Sequence, residues 1–263
     1  MRCQLFICGL LASLLLTAGC STRVHDVATD PAFTAAIAEN PALALGGVVT
    51  GPTLEMRLAA DDAEDADAAL YRAFLTKRPD LTVITTAAVD GRLDRDHLAG
   101  LREEYARLGR LRRDQLATVA EVLPEVRFLV LARLTSDRTR TITPEDRGID
   151  PDRAGAEGVP EDTEDWSSLV LTEREIGVTL QFFDVRTGRI AWEAEATTRE
   201  RQHYAYEDVL AEDAVSYVRD RLADREDVPT VPRDGVFLRV PDLVEMLETA
   251  LVELVDRLPA DGS

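Results

Sequence analysis

The residues able to do covalent or acid–base chemistry are few, and their spacing does not suit it. The chain of 263 residues has three cysteines, Cys3, Cys8 and Cys20, and three histidines, His25, His97 and His203. The histidines are scattered: no H-E-x-x-H sets two of them on one helical face, and no G-x-S-x-G marks a nucleophile elbow. Asp and Glu number 49 against 30 Lys and Arg, but an acid–base pair needs a defined spacing, and abundance supplies none. Gly46-Gly47, with Gly51-Pro52 after it, invites a phosphate-loop reading. No Lys follows at the right spacing and no G-x-G-x-x-G is present, so these glycines are read as a place of close backbone packing. The alternating acids of residues 143–168 do not meet D-x-[DN]-x-[DN]-G-x5-E, so a solvated loop is expected there, not a calcium site. No catalytic residue, metal ligand or cofactor is assigned. The formal charge of −19 disfavours nucleic acid, whose phosphates need a clustered basic surface.

One thiol does stand where its position has a use. Residues 1–20 read MRCQLFICGLLASLLLTAGC: Arg2 is a short positive start, residues 5–16 form an apolar run, and the small Ala18 and Gly19 precede Cys20. The apolar run is too short to span a bilayer comfortably. This order resembles a bacterial lipoprotein signal, in which the cysteine becomes the lipidated first residue after cleavage; Thr17 stands where that pattern prefers Leu. Cys3 and Cys8 lie in the segment to be removed, so Cys20 would be the one mature thiol and a disulfide framework is excluded. Ser21 follows, not the Asp that retains lipoproteins in the inner membrane. By the resemblance, the address is the outer membrane, with the lipid as anchor and the domain facing the periplasm. Residues 1–19 are thus read as signal, 20–42 as lipidated cysteine and tether, 43–258 as a single domain, and 259–263 as a tail.

Hydrophobic periodicity supplies the elements of that domain. Residues 175–199 form its best-specified stretch. Ile176, Val178, Leu180 and Phe182 alternate with Gly177, Thr179, Gln181 and Phe183; beyond a turn, Ile190, Trp192, Ala194 and Ala196 alternate with Ala191, Glu193, Glu195 and Thr197. A period of two argues for two half-buried strands, and Gly188 sits where a tight loop needs a positive φ. Upstream, residues 43–49 read as a buried strand, 61–77 as a helix, 81–89 as a β-branched strand, 95–109 and 115–123 as helices, and 126–141 as a long strand apolar on both faces. Residues 206–224 have a helical stripe, 229–235 an irregular crossing marked by Pro229, Pro232 and Gly235, and 241–258 a strongly amphipathic helix. The expectation is an α/β fold: a mixed sheet of about five strands flanked by helices, with an amphipathic C-terminal helix.

This order resembles a group of bacterial envelope lipoproteins that includes the curli-secretion lipoprotein CsgG and the penicillin-binding-protein activator LpoB; their shared domain also resembles the amino-terminal domain of TolB. The specific part is the hairpin, an apolar strand followed by Asp-x-x-Thr-Gly and a strand with a Trp, matched by Asp184, Thr187, Gly188 and Trp192. The resemblance implies a non-enzymatic module held by acyl chains in the membrane and binding another envelope protein. The candidate partner surfaces are the 143–168 loop, Glu193 and Glu195. Self-association into a homo-oligomer is left open. An oligomeric secretion component of the curli type needs membrane-spanning hairpins with lipid-facing alternation and aromatic girdles, which residues 143–168 do not supply. A periplasmic hydrolase is the remaining alternative, without a motif behind it.

Overall fold

The computed structural model describes residues 21–52, 54, 58, 60–142, 169–205, 230–233 and 236–259. Its centre is a six-stranded mixed sheet with helices on both faces, as the alternation of strand and helix patterns leads one to expect. In chain order the elements are β1 (Ser21–Thr29), α1 (Phe33–Glu39), β2 (Ala42–Thr50), α2 (Ala60–Lys77), β3 (Thr82–Ile84), α3 (Thr86–Asp90), α4 (Arg95–Leu108), α5 (Arg113–Val122), β4 (Phe128–Ile142), β5 (Leu169–Asp184), β6 (Arg189–Ala205), β7 (Thr230–Arg233), β8 (Val236–Arg239) and α6 (Leu243–Asp256). The sheet order is β1-β6-β5-β4-β2-β3; β2 runs parallel to β3 and β4, and the other pairings are antiparallel.

Strand alternation divides the core in two. On one face Ile176, Val178, Leu180 and Phe182 of β5 meet Trp192, Ala194 and Ala196 of β6, covered by α1, α2 and α6. Phe182 is the hub, with Phe33, Phe74, Phe128 and Trp192 packed edge-on around it. α2 offers Ala66, Ala69 and Ala73 besides Leu70 and Phe74, and these small side chains let α6 lie close against it. Asp242 caps α6, its carboxylate accepting from the Glu245 N–H at 2.9 Å. On the other face α3, α4 and α5 cover Ala44, Leu129, Leu131 and Phe183. Leu98, Leu101 and Tyr105 of α4 are buried there, whereas Leu108, one turn on, is exposed.

Four expectations are corrected. Residues 21–39, read as a tether, form β1 and α1: Val24 packs on the core and Phe33, Ala36 and Ile37 are buried at i, i+3, i+4 spacing. The strand expected over 81–89 stops at Ile84, because the Thr85 hydroxyl accepts from the Ala88 N–H and turns the chain into α3. In β6, Phe182 pairs with Trp192 and Phe183 with Ile190, so Ala191 is an extra residue; the bulge buries it and exposes Ile190. The irregular crossing is in part a short antiparallel hairpin, β7–β8. The helix expected over 206–224 and the 143–168 loop lie outside the described residues. Among the described residues no helix is long and apolar enough to cross a membrane.

Candidate functional site

β3 is only three residues long and pairs with Ala42, Ala44 and the Leu43 between them. From Gly46 onward the β3 side of β2 therefore has no strand neighbour in that ladder, and backbone groups on an open edge need other partners. Two side chains provide them. Asp67 of α2 accepts from the Val48 N–H at 2.6 Å through Oδ1, and Arg102 of α4 donates from Nε to the Gly46 carbonyl at 2.6 Å. The same two residues meet each other, Arg102 Nη2 to Asp67 Oδ2 at 2.5 Å. An ion pair thus stands in for the missing stretch of strand, and it ties a helix from each face of the sheet to β2.

The glycine pair makes that approach feasible. The β2–β4 register shifts between Leu45 and Gly47, leaving Gly46 as a bulge. Gly47 has φ +99°, and a Cβ there would stand 2.0 Å from Arg102 Nη2 and 2.6 Å from Asp67 Oδ1. The expectation of close packing at these glycines is right; the groups approaching Gly47 are charged side chains, and those approaching Gly46 are the side chains of Leu131 and Leu129.

Beyond the end of β3 a cleft of about 830 Å³ opens between α2, α3 and α4. Its lining includes Ala63, Glu64, Asp67, Ala68 and Tyr71 from α2, Thr86, Ala87 and Asp90 from α3, and Leu98, Ala99 and Arg102 from α4, with Thr85 at the α3 cap. The chain leaves β2 for α2 on one face and β3 for α3 on the other. In α/β sheets the crevice outside the carboxyl ends of two such strands is where ligands bind. The walls are mostly small and apolar, the floor is the Asp67–Arg102 pair, and the described lining residues include neither histidine nor cysteine. The Thr85 hydroxyl serves as a helix cap, while Thr86 Oγ1 is enclosed without a hydrogen-bond partner.

The hairpin residues singled out in the sequence lie elsewhere. Asp184 pairs with Phe128, and Phe128 with Leu43, so the β5–β6 turn sits at the amino end of β2, opposite the cleft. Asp184 Oδ1 accepts from the N–H groups of Arg186 at 2.9 Å and Thr187 at 3.0 Å, Oδ2 accepts from Arg127 Nε at 3.2 Å, and the Asp184 carbonyl accepts from the Gly188 N–H at 2.8 Å. Gly188 has φ +72°, the left-handed conformation its place in the loop demands. Trp192 is fully buried against Phe182, with Nε1 unpartnered. The four build the turn and the core. Cys20 lies outside the described residues.

The histidines do not converge: His25 is on β1, His97 on α4, and His203 is near the end of β6. His25 Nδ1 meets Asp26 at 2.9 Å and Nε2 meets Thr197 at 3.1 Å, with Glu195 nearby at 3.9 Å; both ring nitrogens are thus already engaged on an exposed edge. Glu193 and Glu195 are half-buried on the side of β6 away from Trp192. Further along, Glu173 on β5 is 3% exposed between Arg140 of β4 and Arg201 of β6. Burial would push its carboxyl up, but the hydrogen bonds from Arg201 and Arg140 outweigh that and hold it below the ordinary range. Arg174, also buried, meets Asp137 at 2.6 Å and the Pro241 carbonyl at 3.0 Å.

No protein-family model matches the chain, and no curated protein matches it in sequence. Similar solved structures include the PelC dodecamer from Paraburkholderia phytofirmans, at 10% identity and TM-score 0.37 over 91% of this chain and 99% of that one. Lipoprotein GNA1162 from Neisseria meningitidis is similar at 12% identity and TM-score 0.36 over 69% of this chain and 97% of its own. The LpoB C-terminal domain from Salmonella enterica is similar at 11% identity and TM-score 0.29 over 66% and 93%. Likenesses this loose carry no argument about what the chain does.

Proposed function

We propose that this chain is a lipid-anchored, non-enzymatic binding module of a bacterial cell envelope, held at the outer membrane through Cys20 with its domain in the periplasm. The binding half of the reading is carried by the cleft beyond β3. Its strongest polar pair, Asp67 and Arg102, is committed to completing the edge of β2, which suits a preformed recognition surface better than a site that must move protons. The address is supported by the order of residues 1–20 and by Cys20 standing alone once Cys3 and Cys8 are removed. Lipidation would confine the domain to a surface and raise its effective concentration toward envelope partners or other copies of itself.

The experiment is intact-mass analysis and membrane fractionation of the full chain expressed in a Gram-negative host, beside Cys20→Ser. The wild type is expected to gain diacylglycerol mass and float with the outer membrane, and the variant to lose both. Equal masses and a soluble fraction for both would sink the anchored reading.

A further inference from the structure

We propose that the cleft beyond β3 binds a short segment of a partner protein that presents a basic side chain. This rests on reading the chain as a binding module, and it holds whether or not Cys20 is lipidated.

The space is built into the fold. It exists because β3 ends at Ile84 and because the chains leaving β2 and β3 go to opposite faces, so its walls are helices seated on the core. Leu98 is fully buried in one wall and Tyr71 half-buried in the other, and between them the alanines at 63, 68, 87 and 99 keep the space open. Small apolar walls suit the methylene stem of a lysine or arginine, which covers apolar surface while its charge seeks an acid. About 830 Å³ is more room than a lone amine fills and falls within the range of sites that enclose most of a ligand.

The charges decide the sign of the occupant. Among the described lining residues, Glu64 and Asp67 stand against one cation, Arg102, while Asp90 has an interaction of its own. Arg102 already donates to the Gly46 carbonyl and to Asp67, and Asp67 is held in turn by the Val48 N–H. A phosphate or carboxylate entering here would meet no uncommitted cation among the described lining residues, and the Glu64 carboxylate at the rim. A cation meets Glu64, exposed at the rim, above a floor whose ion pair is already neutralised within itself. The formal charge of −19 adds long-range attraction for basic partners, so association is expected to weaken with salt.

The test uses the full chain purified in mild detergent and two fluorescein-labelled peptides, Ala-Leu-Lys-Ala and Ala-Leu-Glu-Ala with blocked ends, followed by fluorescence anisotropy. The Lys peptide should bind at least tenfold tighter than the Glu peptide. Glu64→Gln should weaken it about threefold, as expected for losing a partly solvated ion pair. Ala99→Trp, which fills the cleft from an exposed helix position, should abolish it. Hydrogen exchange should show protection by the Lys peptide in α2 and α4. Equal binding of both peptides, protection elsewhere on the sheet, or n-butylamine competing at the Lys peptide's own affinity would each overturn the proposal. Fractionation of wild type and Cys20→Ser reports on the anchor separately, so the two readings fail independently.

Discussion

A single backbone angle holds the cleft together. At φ +99° Gly47 occupies a region that costs other residues about 1–3 kcal/mol, and the missing Cβ is what lets Arg102 and Asp67 reach the chain. Gly47→Ala is expected to lose about 2–4 kcal/mol, because strain is joined by expulsion of the ion pair and two backbone groups lose their partners. Gly46→Ala should lose less, since no positive φ is strained there and no ion pair is displaced, although its Cβ would stand 2.8 Å from Cγ and Cδ2 of the buried Leu131, which must shift. Urea unfolding of both variants decides it; a Gly47→Ala midpoint at the wild-type value would show that the pair does not depend on the glycine. The sequence makes the glycines legible as a place of close approach. It could not name the visitors, because Asp67 and Arg102 lie 19 and 56 positions from the backbone groups they hold. Nothing local connects them.

Elements whose logic is local are the ones the sequence displays. The β5–β6 turn is written in Asp184 and Gly188, and the structure uses both within five residues of chain. Asp184→Ala removes the acceptor of two turn N–H groups and the partner of Arg127, and should cost about 1–2 kcal/mol. Faster amide exchange at Arg186 and Thr187 would accompany the loss; unchanged exchange there would mean the turn is set by Gly188 alone. The amphipathic stripes of α2 and α6 are legible for the same reason, with Asp242 as a readable cap. β1 and β3 are not. β1 lies on the sheet edge, sends little besides Val24 to the core, and is placed by pairing with β6, far away in sequence. β3 fails for the opposite reason: its β-branched run continues past Ile84, and a hydroxyl cap, not loss of strand propensity, ends it.

Across the whole molecule, charge pairs bind strands and helices that hydrophobic patterning only brings near one another. Glu173 joins β4, β5 and β6; Glu248 of α6 takes Arg72 of α2, and that hydrogen bond holds its carboxyl below the ordinary range. A carboxyl depressed by folding contributes stability fully above its unfolded value of 4.5 and loses it as pH falls through the lower folded value. Glu200 works the other way. Burial, then Glu245 and Asp242, raise it, so its charge opposes folding near neutrality and protonation relieves that. Asp80 and Glu125 are depressed as well, so that among the described residues four carboxyls stand below their unfolded values against one raised. The urea midpoint is therefore expected to fall as pH is lowered from 7 to about 3, and to fall less in Glu173→Gln. A midpoint that holds level in the wild type would show that Glu173 and Glu248 gain no net stability from their partners.

The edge strand β1 has a mechanical meaning. Ser21 is already paired into the sheet opposite Arg199, so a lipid on the preceding residue would leave almost no leash. A long flexible tether lets a domain sweep a hemisphere and search for partners at a distance. A domain moored at its own sheet behaves as a raft: it moves with the lipid beneath it, keeps one end toward the bilayer, and waits for partners to come within its own depth. Strand directions put the carboxyl ends of β2 and β3, and the cleft beyond them, at the same end of the sheet as Ser21, the end such a lipid would moor. Whatever enters would then be met close to the membrane, and lengthening the chain between Cys20 and Ser21 would change its range more than any surface substitution.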